Sequence, residues 1–180
     1  MTLSVDLREL AYTRLCIVRE DEASDGAVLD ALTPDQRQQA YAIASRRLAM
    51  QLLFEIDQSG GESALERVLK KLDDAPDLGP IQRERVEAMV RGAWADRREA
   101  DTHLLELAPG WPATRQPAVD RAILRLARYE MRSGLNPVAI VINEAVELAR
   151  RFSTEKSPSF INGVLGKMTP DATASAQLGE

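Results

Sequence analysis

Apolar residues recur along this chain at spacings of three and four, and the pattern predicts helices almost throughout. In residues 4–19, SVDLRELAYTRLCIVR, a stripe of Leu7, Leu10, Ala11, Leu15 and Val18 predicts a first helix, followed by an acidic turn, EDEASDG. Thr33-Pro34 then reads as an N-cap followed by proline at the first helical position, and nothing breaks the chain until SGG at 59–61. Within that helix Ala40, Ile43, Ala44, Leu48, Leu52 and Ile56 form the expected buried set. A shorter helix over 62–72 carries Leu65, Val68, Leu69 and Leu72. From Pro80 to Ala108 only Gly92 interrupts, which predicts one long helix, or two in series with a bend near Gly92 or Asp101, closed by PGWP at 109–112.

Three further helices are predicted over 117–133, 137–152 and 157–168. Pro117 and Pro137 suit first helical positions, with Asn136 as a cap for the second, and Ser157-Pro158 repeats the arrangement. The AIVI run at 139–142 is the longest strand-like stretch and is absorbed into a capped helix. The end, TPDATASAQLGE, is small and polar and reads as a disordered tail. The fold class is therefore all-α, with about seven helices.

Composition narrows the function. With 44% apolar residues in 180, the chain can build one substantial core or two small bundles. A formal charge of -5 means that any nucleic-acid role needs a local basic patch rather than an overall cationic field. Cys16 and His103 are the only residues of their types, too few for a disulfide framework or a Cys/His zinc site. No cofactor or metal is expected. No apolar run approaches the roughly 18 residues of a membrane span, and MTLSVDLREL lacks the halves of a signal peptide, so the expected location is the cytoplasm.

Catalytic patterns are missing as well. No Gly-rich loop joins a strand to a helix, and His103 lies mid-helix beside Leu104 and Leu105. Glu144 and Glu147 are one turn apart, but Glu147 can pair with Arg151 at i+4. Trp94 and Trp111 read as packing residues. Arginine placement says more: Arg121, Arg125, Arg128 and Arg132 share one helix face, a stripe that either grips phosphates or an acidic partner, or is neutralised by Asp120, Glu130 and neighbouring helices. Arg46-Arg47, with Arg37 before them, is a second basic point.

Five segments in order, RRLAMQLLFEID, VRGAW, DRAILRLARYEM, PVAIVINEAVELARRFS and SFINGVL, resemble the NusB family of bacterial transcription antitermination factors over roughly residues 44–168. The resemblance implies two three-helix bundles sharing a long helix, with residues 1–42 as an N-terminal, partly helical extension, 43–168 as the RNA-binding domain and 169–180 as a tail. It implies a non-enzymatic factor that joins NusE, a small-subunit ribosomal protein, binds single-stranded boxA RNA of ribosomal leaders, and serves the antiterminating RNA polymerase complex. Self-association of some relatives makes a homodimer an alternative state.

Carried onto this chain, the family's arginine-rich RNA-binding segment falls at Arg46 and Arg47, with Arg37 as a helical extension. About forty residues of acidic character precede it, and the arginines are fewer than relatives carry. The opposite part of the RNA surface falls at Lys156, Ser159, Phe160 and Asn162: a ring for stacking, an amide for base edges and a cation for the backbone. Phe160 also borders the apolar stripe of Ile161, Val164, Leu165 and Met168, and Asn162 could instead bridge to Asn143. Partner contact falls at Asp120, Arg121 and Arg125. Two other readings stand beside this one. One is a helical interaction scaffold that has lost RNA binding; the other is the accessory domain of a ribosomal RNA methyltransferase, which a chain ending at Glu180 disfavours.

Overall fold

The computed structural model describes residues 7–13, 32–74 and 78–169. The chain divides into two compact units, Met1–Ala88 and Met89–Glu180. The expected acidic turn and the polar tail after Thr169 lie outside the described residues, as does most of the first predicted helix beyond Leu7–Thr13. Every regular element among the described residues is helical.

In the first unit, α1 (Leu7–Thr13) packs against α2 (Pro34–Gln58), and α2 also packs against α3 (Leu65–Leu69). Proline at the start of α2 is accommodated as predicted, and Thr33 does more than cap. Gln36 N–H donates to Thr33 Oγ1 at 3.2 Å while Thr33 N–H donates to Gln36 Oε1 at 3.0 Å. This reciprocal box satisfies two backbone donors that a helix start leaves open. The expected set Ala40, Ile43, Ala44, Leu48, Leu52 and Ile56 is buried, joined by Val68, Leu69, Leu72 and Val86. The region predicted as one helix over 62–72 is a composite: 3-10 turns at Gly61–Ala64 and Lys70–Asp74 flank the short α3.

Helix α4 (Pro80–Ala95) starts in the first unit and ends in the second, where α5 (Arg97–Leu107) follows it. The bend falls at Asp96, between the two predicted positions. Gly92 has another role: a Cβ there would lie 2.1 Å from a ring carbon of Tyr129. The glycine lets this aromatic ring seat directly on the helix backbone.

The second unit is completed by α6 (Ala118–Ser133), α7 (Val138–Phe152) and α8 (Ser157–Lys167). Helix α6 packs on α5, α7 and α8, and α7 packs on α8. Pro117 and Pro137 sit one residue earlier than predicted. Each is an N-cap whose carbonyl accepts the first helical bond, from Arg121 N–H at 3.1 Å and Val141 N–H at 3.2 Å. Asn136 is therefore not the cap. Gly134, at φ 64, ends α6 in the left-handed conformation that glycine adopts without a Cβ clash. The core takes Val90, Ala93, Trp94, Leu104, Ile123, Leu124, Leu148, Ile161 and Leu165.

Trp94 is buried as expected, with the Arg97 guanidinium 4.4 Å from its ring centre. Trp111 departs from expectation and is 44% exposed. It stands in a turn closed by its N–H donating to the Ala108 carbonyl, between Pro109 and Pro112, where no helical period aims the side chain inward. No helix among the described residues is long and apolar enough to cross a membrane.

Candidate nucleic-acid and partner interface

The arginine stripe on α6 faces carboxylates on and beside α5. Arg125 grips Asp101 with both branches, Nε at 2.9 Å and Nη2 at 2.7 Å. Arg128 pairs with Asp96 and, at 3.0 Å, with Glu99; Arg132 reaches the same two, at 2.6 and 3.2 Å. The Arg128 and then the Arg132 hydrogen bonds hold the Glu99 carboxyl below its ordinary value. Arg121 donates to the Ala113 carbonyl at 2.7 Å. Of the two readings of this stripe, neutralisation is the one realised for Arg125, Arg128 and Arg132, through Asp96, Glu99 and Asp101 on and beside a neighbouring helix, as expected, while Asp120 bonds elsewhere. Glu147 likewise pairs with Arg150 at i+3, not with Arg151 as expected.

Asp120 has a different task. It is 2% exposed, and its two oxygens accept from Ser153 Oγ at 2.5 Å and Ser157 Oγ at 2.8 Å. Ser157 Oγ also lies 2.7 Å from Thr154 Oγ1. A buried carboxylate fully used this way pins the start of α6 to the turn joining α7 and α8. Of the three partner candidates, Asp120 and Arg125 are thus buried and engaged, and Arg121 keeps part of its surface in water.

That pinned turn frames a groove of about 610 Å³, lined by Val146, Arg150, Thr154, Pro158, Ser159 and Asn162 among others. Lys156, Ser159 and Asn162 are exposed, and Phe160 is half-buried above the fully buried Ile161. Asn162 makes no bond to Asn143 among the described residues, so the amide stays presented to the groove. Reading the sequence missed Arg150 and Thr154 as groove residues; their signal is the i, i+4 spacing of Val146, Arg150 and Thr154, which runs one helical face into the turn.

The first unit carries the other candidates. Arg37 lines a groove of about 470 Å³ with Tyr41, Ser45, Ile81 and Arg85. Arg46 and Arg47 are 5% and 3% exposed, and Arg47 Nη1 donates to the Tyr12 carbonyl at 3.1 Å. No cluster of His, Cys, Asp and Glu able to hold a metal occurs among the described residues.

This all-helical fold, with a groove in each unit and arginines paired within the second, has known relatives. The NusB family matches residues 43–170, and the chain belongs to that family. The transcription antitermination protein NusB of Saccharopolyspora erythraea is 43% identical over 126 residues, 69% of this chain and 83% of the relative. Among solved structures, NusB of T. maritima aligns with TM-score 0.61 at 27% identity, over 73% of this chain and 89% of that one. A NusB solved with NusE and double-stranded RNA shares the fold, with TM-score 0.63 at 22% identity over 74% and 97% of the two chains.

Proposed function

We propose that this protein is a non-enzymatic transcription antitermination factor of the cytoplasm that binds boxA-type single-stranded RNA together with NusE, within the antiterminating polymerase complex. The observation that carries the reading is the edge of α8: exposed Lys156, Ser159 and Asn162 with half-buried Phe160 beside a groove that Arg150 and Thr154 also line. Those groups supply a backbone cation, hydrogen-bonding groups for base edges and a ring for stacking, the chemistry by which unpaired RNA is held. Arg37, Arg46 and Arg47 supply phosphate contacts from residues 43–168 and the end of the extension. NusE contact is assigned to Arg121 at the start of α6, with Asp120 and Arg125 keeping that helix folded in its place. The homodimer is an alternative use of the same surface.

The burial of Arg46 and Arg47 favours a second reading, a helical scaffold without RNA affinity. Titration with boxA RNA and NusE at low and high salt separates the two. Phosphate-driven binding weakens steeply as salt rises, whereas a scaffold shows no RNA binding at either salt.

A further inference from the structure

Helix α1 lies outside the stretch matched to the NusB family, residues 43–170, and it packs against α2 inside that stretch. Its Leu10, Ala11 and Tyr12 are buried, and the Arg47 bond to the Tyr12 carbonyl is itself buried and joins residues 35 apart in sequence. All positions from Ile43 to Met50 are buried. A surface helix with one apolar face leaves its polar side in water; here the polar side, Arg46 and Arg47 included, is covered.

We propose that α1 is an intramolecular strap that competes with single-stranded RNA for the arginines of α2, so that RNA engages them only when the strap lifts. This deepens the function proposed above and depends on its assignment of Arg46 and Arg47 to RNA. Three features suit a strap. The described part of α1 buries only Leu10, Ala11 and Tyr12, so its undocking forfeits little apolar burial. The Tyr12 carbonyl is a neutral acceptor, and a phosphate oxygen makes a stronger, charge-assisted bond to the same guanidinium. Residues 1–33 hold seven Asp and Glu against three Arg, most of the chain's net charge of -5, so the sequence that carries the strap repels an RNA phosphate chain rather than attracting it. The Thr33–Gln36 box fixes where the segment joins α2 and keeps the lifted strap near for return.

The test uses the full chain carrying Leu10→Asn and Ala11→Asn, which removes the apolar hold without changing charge, titrated with a short boxA RNA at low salt. Because apparent affinity scales with the open fraction, the variant is expected to bind about tenfold more tightly than the wild type. Equal affinity overturns the strap and leaves the RNA assignment standing; no binding by either chain removes both. A second measurement needs no variant. RNA must accelerate hydrogen exchange of the amides of residues 7–13, since coupling is reciprocal, and unchanged or increased protection there overturns the proposal.

Discussion

Two groups of arginines look alike in the sequence, one on α2 and one on α6, and they differ in what holds them. On α6, Arg125, Arg128 and Arg132 meet Asp96, Glu99 and Asp101 within the same unit, from the helix that immediately precedes. Those pairs form whenever the unit folds. On α2, Arg47 donates to the Tyr12 carbonyl of α1, 35 residues away in sequence. The first group serves stability, and under the strap proposal the second is the one that exchanges its partner for phosphate. A basic stripe therefore signals a binding surface only when its partners can leave.

Substitutions sharpen this contrast. Arg125→Ala leaves Asp101 without its bidentate partner in a part-buried site, and is expected to lower stability by about 3 kcal/mol, the lower range for breaking a buried pair. Urea denaturation measures it, and RNA affinity of the folded fraction should be unchanged. Asp120→Ala should cost about 2 kcal/mol by stranding two serine donors; NusE binding then falls only as far as folding does, and a loss of NusE affinity at full folding would make Asp120 a direct contact. Gly92→Ala should cost about 1–2 kcal/mol, overpacking against Tyr129 outweighing the roughly 1 kcal/mol gain in helix propensity. Adding Tyr129→Ala should abolish that clash in a double-mutant cycle.

The smallest effect is on pH. The hydrogen bonds from Arg128 and then Arg132 hold the Glu99 carboxyl below the usual carboxylate range in the folded chain. A lowered folded pKa contributes stability above the unfolded value, and that contribution is lost as pH falls through the folded one. Arg132→Ala should therefore lower Tm slightly at neutral pH, with the difference from wild type closing in acid. A difference independent of pH would assign the effect to packing.

Helix starts were legible because their signals are local: Thr33-Pro34 opens a helix as predicted, Ser157-Pro158 opens one with Ser157 as the first helical residue rather than the cap, and the apolar set of α2 is buried residue for residue. The partners of the α6 stripe were not, since they depend on the register between α5 and α6, set by a bend at Asp96 that no glycine or proline marks. Trp111 misled because an apolar residue in a proline-bounded turn has no period to give its direction. Asp120 reads as a surface charge at a helix start, and only the turn carrying Ser153 and Ser157 reveals it as a pin. At α8 the resemblance supplied Lys156, Ser159, Phe160 and Asn162, while the groove added Arg150 and Thr154. Phe160→Leu separates stacking from packing: weaker RNA binding at unchanged stability is expected.

The most direct measurement is the affinity of the Arg46→Ala and Arg47→Ala double variant for boxA RNA with NusE at low salt. Loss of tenfold or more, with the helical fold intact by circular dichroism, is the result expected from arginines that exchange a strap for phosphates. Wild-type affinity in the folded variant would contradict it.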